Sequence, residues 1–312
     1  PIHGRPDLVE KYRQKLASVD PSNSPPFLLE GNPDDPQPLT NEQLVSLIDL
    51  PPYQDYKVLP ERTVKIKQHQ DNIEFAAMVE SMDESLGRIV DHIDQLGLTD
   101  NTLIVFFSDN GGMSGANFGG ASRVVDSSRL DSAYSTSNLP LRGAKGWLYE
   151  GGIRVPMIVK WPEKFSDSSR IVEEPVISTD FYPSLLEMAG LPARDEQALD
   201  GVSFVPALNG DSFNRGPIFW HFPQYSNHGM QSPGGAVRFG DYKLLEYFEN
   251  NTVQLFNLRE DIGERNDLSQ TEPQIREELR TLLRSWREDV DAQMPPRNPD
   301  YDPSQYPHKA SP

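Results

Sequence analysis

Two short stretches of this chain bring together residue types that can do chemistry. Ser108-Asp109-Asn110-Gly111-Gly112 sets a carboxylate beside an amide oxygen. Both are hard oxygen donors of the kind Ca²⁺ and Mg²⁺ prefer. The glycines that follow let the backbone turn sharply and approach a bound group. Alone, these five residues also fit an ordinary turn. The second stretch, LRGAKGWLYEGGIRVP from Leu141 to Pro156, holds Lys145 among glycines and leads through a glycine pair and Arg154 into an apolar run. A lysine in such a loop is suited to gripping an anion as a point charge. Arg142 and Arg154 could add positive charge beside it, although Arg154 is better read as structural, pairing with Glu150 or an acidic neighbour.

The elements that must position these loops are legible from periodicity. Between Asp71 and Leu96, Phe75, Met78, Val79, Met82, Leu86, Ile89, Val90 and Ile93 recur at three- and four-residue spacing, which predicts a helix with one apolar face. Gly97 stands at its C-cap position. Thr102 to Phe107 (TLIVFF) is a continuous β-branched and aromatic run, the pattern of a strand buried on both faces in a parallel sheet. The SDNGG stretch then falls at the carboxyl end of that strand, where open α/β sheets place ligands. Val155 to Trp161 is a second buried-strand candidate, Thr179 to Ala189 a helix, and Ile218 to His221 a short third strand. Ala236 to Phe248 and Thr252 to Leu258 predict a β-hairpin, followed by an amphipathic helix from about Pro273 to Val290. Pro21 to Pro60, rich in Pro, Asn and Asp, is expected to run over the surface.

The fold class expected is α/β, with a mixed, mostly parallel central sheet flanked by helices and a small α+β C-terminal subdomain of antiparallel strands plus a helix. The expected organisation is a main domain over 1–232, the subdomain over 233–294, and a disordered tail over 295–312.

Composition limits the partners. With 29 Lys and Arg against 47 Asp and Glu, the 312-residue chain carries a formal charge of −18. That balance argues against nucleic-acid or membrane-surface binding, and it requires any anion site to be a local positive pocket. There is no cysteine, hence no disulfide, thiolate metal site or cysteine nucleophile. No run of about 18 apolar residues suggests a membrane span.

SDNGG after an apolar strand, LRGAKGWLYEGGIRVP, STDFYPSLLEMAGLP and LDGVSF occur in that order. Together they closely resemble the type I, formylglycine-dependent sulfatases of the alkaline phosphatase superfamily, from about Pro1 to Leu268. AVRFGDYKLLEYF followed by VQLFNLREDIGERNDL resembles their C-terminal subdomain. The resemblance implies a sulfuric ester hydrolase of the arylsulfatase type acting on sulfate esters, with sulfated carbohydrate as the expected substrate class. It implies that Asp109 and Asn110 are ligands of the catalytic cation, usually Ca²⁺ with Mg²⁺ as the alternative, and that Lys145 contacts the sulfate and the leaving oxygen. His221 and His228 lie in a region that borders the substrate pocket in similar sulfatases, and with Arg142 they are the candidate substrate contacts. The Met113 to Asn138 loop is where specificity is expected.

In this family an Asp-Asp pair and a Cys/Ser-x-Pro-x-Arg segment, whose first residue becomes formylglycine, supply the remaining ligands and the nucleophile. No Cys/Ser-x-Pro-x-Arg segment occurs here. The expectation is therefore a C-terminal portion of a longer, exported parent, inactive by itself. A phosphatase or phosphodiesterase of the same superfamily is the enzymatic rival, and a binding homologue without catalysis is the other.

Overall fold

The computed structural model describes residues 2–20, 24–31, 34, 39–40, 42–43, 46, 63–115, 134–165, 170–192, 196–226, 231–296 and 299–300. These form two compact units. One comprises Pro1–Gly87, Ser108–Pro156 and Phe219–Pro312; the other comprises Arg88–Phe107 and Met157–Ile218.

In the first unit, α1 (Pro6–Ala17) starts with proline in its first turn, where the missing N–H costs nothing. Its Leu8 and Val9 bury against Ala77 of α2 (Ile73–Gln95). Asn72 caps α2 by accepting the Phe75 N–H at 3.1 Å. β1 (Phe27–Gly31) pairs antiparallel with β2 (Thr63–Lys67), from Phe27 opposite Lys67 to Gly31 opposite Thr63. The Pro21 to Pro60 stretch is therefore not wholly a surface excursion, because Phe27 and Glu30 within it are buried. Its prolines and acidic residues conceal a five-residue strand too short for periodicity to reveal.

The C-terminal part of this unit is a four-stranded sheet in the order β5 (Ile218–Phe222), β6 (Gly234–Phe239), β7 (Tyr242–Tyr247), β8 (Val253–Asn257). The expected two-stranded hairpin is thus a meander. The run from Ala236 to Phe248 folds back on itself at Gly240, whose φ of 59° suits a tight β-turn. Strand alternation gives the sheet two apolar faces. Val237, Leu244 and Leu255 pack against Leu279 and Leu283 of α6 (Pro273–Asp289). Ala236, Leu245, Tyr247 and Phe256 pack on the other side against Trp147, Leu148 and Tyr149. The second face therefore anchors the segment just past Lys145.

In the second unit, β3 (Ile104–Phe107) and β4 (Met157–Lys160) pair antiparallel, Ile104 opposite Lys160 and Phe107 opposite Met157. The β1–β2, β3–β4, β6–β7 and β7–β8 pairs are all antiparallel, and the mostly parallel central sheet expected from the sequence is not confirmed among the described residues. An unbroken apolar run reports how much surface a strand could bury, not the direction of its neighbour. Nor are these strands covered on both faces: Phe107 is 37% exposed and Ile158 60%.

In the same unit, Asp180 leads into α4 (Phe181–Met188), and α5 (Val205–Asn209) follows. Its buried carboxylate accepts from the Ile177 and Val202 amides at 2.9 and 3.0 Å and from Arg215 at 2.9 and 3.1 Å. Among the described residues, no helix is long and apolar enough to cross a membrane.

Candidate active site

The site is built by stitching two loops of the first unit together through their backbones. The SDNGG loop begins with the Ser108 hydroxyl donating to the Asn110 carbonyl at 3.0 Å. The Gly111 N–H then donates to the Gly152 carbonyl at 3.0 Å. Gly111 has to be glycine, since a Cβ there would lie 1.8 Å from the Gly151 carbonyl oxygen. The Gly112 carbonyl accepts the Lys145 N–H at 3.1 Å and the Ser114 N–H at 3.0 Å. On the other loop, α3 (Glu150–Ile153) is a single helical turn, and the Gly151 N–H donates to the Arg142 carbonyl at 2.7 Å.

Asn138 closes the seam. Its Nδ2 lies 2.8 Å from the Gly112 carbonyl, 3.0 Å from that of Gly151 and 3.2 Å from that of Gly143. Two amide hydrogens thus serve carbonyls from both loops.

On this frame, Asp109, Asn110 and Lys145 present side chains with no hydrogen-bond or ion-pair partner among the described residues. Asp109 is exposed, while Asn110 and Lys145 are half-buried. Their charged neighbours are all engaged. Arg142 binds Glu30 through Nε and Nη2 at 3.2 and 3.0 Å, donates Nη1 to the Glu264 carbonyl at 2.9 Å, and stacks 4.1 Å above the Tyr149 ring. Its fork geometry is committed to holding the loop to β1 and to the segment after β8. Arg154 lies 3.7 Å from Glu150.

Beneath the loop sits a buried ion triad. Lys243 of β7, fully buried, lies 3.0 Å from Glu150 and 2.9 Å from Glu264. Glu264 also accepts the Glu150 N–H at 2.7 Å, capping the turn of α3. Burial works against the Glu150 carboxylate, but Lys243, Arg238 and Arg154 outweigh it and hold its pKa below the ordinary value. Burial dominates at Glu264 and pushes its carboxyl upward, with Lys243 only partly offsetting it.

His221, on β5, bonds through Nε2 with the Gln293 carbonyl at 2.8 Å and lies 5.7 Å from the Phe248 ring. Its Nδ1 is buried without a partner. His228 and most of the Met113 to Asn138 loop lie outside the described residues.

Sequence reading missed Asn138, Lys243 and Glu264. Asn138 stands just before Leu139-Pro140-Leu141, and nothing in its spacing marks it as the cross-loop clamp. Lys243 and Glu264 look like ordinary surface charges until the sheet closes over them.

As a metal site the arrangement is partial. No group of three or more His, Asp or Glu that could hold a metal occurs among the described residues. Ca²⁺ takes about 6–8 oxygens, more than Asp109 and Asn110 offer. An unpaired carboxylate beside an amide oxygen on a cross-braced loop nevertheless fits part of a shell for a hard cation.

Comparison with known proteins takes in both loops. The sulfatase family profile matches residues 50–191. A second profile, the C-terminal region of N-sulphoglucosamine sulphohydrolase, matches residues 144–289. A sulfatase of Formosa agariphila is 30% identical over 318 residues, covering 88% of this chain and 54% of that protein. An N-acetylgalactosamine-6-O-sulfatase of Bacteroides thetaiotaomicron is 28% identical over 218 residues, covering 65% of this chain and 40% of that protein. The crystal structure of Ps i-CgsB superposes with a TM-score of 0.56 at 24% identity, covering 90% of this chain and 53% of that one. The chain thus spans about half the length of the relatives it matches. The two profiles overlap on the Lys145 loop and together take in both halves of the site and the meander behind it: the chain belongs to the sulfatase family of the alkaline phosphatase superfamily.

Proposed function

We propose that this chain supplies one part of a sulfate-ester hydrolase site, with Asp109 and Asn110 as ligands of a divalent cation and Lys145 as the contact to the sulfate. The observation that carries this reading is the contrast within one loop pair. Asp109, Asn110 and Lys145 are left without protein partners, while Arg142, Glu150 and Arg154 around them are all paired. Backbone ties hold the three in place without spending their functional groups. A bound Ca²⁺ or Mg²⁺ would act there as a Lewis acid on a sulfate oxygen. Lys145 holds a fixed positive charge where negative charge grows as the ester bond breaks.

The sequence contains no cysteine and no Cys/Ser-x-Pro-x-Arg segment. By itself the chain is expected to turn over nothing, and hydrolysis belongs to a longer parent that carries the nucleophile. Sulfated carbohydrate is the substrate class this reading favours. The N-acetylgalactosamine-6-O-sulfatase relative and the Ps i-CgsB structure solved with a neocarrahexaose both support it. Within the same reading, His221 remains a proposed neighbour of the sugar, although its unpartnered Nδ1 is closed to solvent in this structure. Arg142 enters as the support of the Lys145 loop. An exported location rests on the family resemblance alone.

Calorimetric titration of the chain with Ca²⁺ tests the metal assignment. Weak binding is expected, with a Kd on the order of 10⁻³ M as in loosely held sites, and Asp109→Asn should abolish it. Equal binding by both proteins would reject the assignment. For the parent, release of sulfate from an aryl sulfate is expected. A parent that cleaves only the matching aryl phosphate would refute the sulfatase chemistry.

A further inference from the structure

We propose that the side of α6 facing β7 carries, at its exposed edge around Arg284, an anion site, separate from Lys145, which holds a sulfate or carboxylate group of a sulfated carbohydrate chain. Arg280, Arg284 and Arg287 stand at i, i+4 and i+7, so they share one side of the helix. All three converge on Glu246 of β7. Arg280 Nε donates to its Oε1 at 2.8 Å, Arg284 Nη2 to the same oxygen at 3.2 Å, and Arg287 Nη2 to Oε2. One carboxylate needs one guanidinium to be neutralised in the fold, so three leave a local charge of about +2 in a chain whose net charge is −18.

Among the described residues no second carboxylate pairs with these arginines. Arg287 is about nine-tenths buried, and its Nη1 has no partner. Arg284 is 49% exposed, so the cluster is open to solvent on one side. Planar, multidentate donors of this kind match sulfate and carboxylate geometry.

Position adds to the argument. Arg287 lies 5.2 Å from the Phe248 ring, and His221 lies 5.7 Å from the same ring. An anionic chain that reached His221 would find the arginines beside it. That an anion binds rests on this geometry alone; that sugar carries it rests on the function proposed above.

The test is calorimetric titration, at low ionic strength, with a short heparin oligosaccharide and its desulfated counterpart. The sulfated form should bind and the desulfated form should not. Arg284→Ala, on an exposed helical position where alanine is well tolerated, should weaken binding about tenfold, the scale of one charged hydrogen bond. Glu246→Gln should strengthen it if the variant keeps its helical circular dichroism. The same series in a Lys145→Ala background separates this site from the one above. Persistence of the Arg284 effect there assigns it to α6 whatever becomes of the metal assignment. Equal affinity of Arg284→Ala and wild type, loss of the effect in the Lys145→Ala background, or indifference to sulfation would overturn the proposal.

Discussion

At the scale of single residues, the site depends on what has been removed as much as on what is present. Gly111 passes so close to the Gly151 carbonyl that a methyl group would fall 1.8 Å from its oxygen. Gly111→Ala must therefore push the SDNGG loop away from α3 and break the Gly111–Gly152 and Lys145–Gly112 ties. Forced overpacking of this kind costs about 3 kcal/mol, which a urea denaturation midpoint would register, and Ca²⁺ binding should be lost with it. An unchanged midpoint would mean that the loops are not packed as described. The residues proposed here as reactive were singled out from the sequence. Asp109 and Asn110 stand out because carboxylate and amide precede a glycine pair after an apolar run, and Lys145 because glycines surround it. Asn138 did not stand out, because its importance lies in three carbonyls contributed by residues 112, 143 and 151. Only the fold brings those together. Arg142 carries the same lesson: its type and position suggested an anion contact, and in the fold it pairs with Glu30, more than a hundred residues away.

Among elements, the meander is the support of the Lys145 loop. One of its faces packs α6, the other packs Trp147 to Tyr149, and Lys243 at its centre holds Glu150 and Glu264 together. Lys243→Met should leave two carboxylates facing each other in the interior. Stripping one partner from a buried ion group typically costs 3–5 kcal/mol. Adding Glu264→Gln to Lys243→Met should recover part of the loss, because one uncompensated charge is then gone. Chemical denaturation of the single and double variants measures both, and full stability of Lys243→Met would show that the triad contributes nothing. Helical spacing gave α2 and α6 nearly to the residue, since a 3.6 period over five turns is hard to produce by accident. Strand partners were less legible. TLIVFF announced a strand correctly but not its antiparallel pairing with Met157–Lys160, and a two-residue turn at Gly240 lay hidden inside what reads as a single run.

Across the whole molecule, the acidic excess and the arginine cluster on α6 pull in opposite directions as pH falls. Protonating surface carboxylates relieves the repulsion among 47 acidic side chains that only 29 basic ones offset, which favours the compact state. Glu246 acts against that trend. Burial works to raise its pKa, but hydrogen bonds from Arg287 and Arg280 outweigh burial and hold it below the ordinary carboxylate value. A group whose pKa is depressed by folding stabilises the fold fully above its unfolded pKa, and that contribution disappears as pH falls through the folded value. The stability difference between wild type and Glu246→Gln should therefore be constant near neutrality and shrink below about pH 4.5. Paired urea titrations across that range would show it, provided each is run at fixed ionic strength so that screening of the surface charges cancels. A difference that stayed constant down to pH 3 would mean that the arginines do not hold Glu246 ionised. The helix face would then lack the charge arrangement on which its anion site depends.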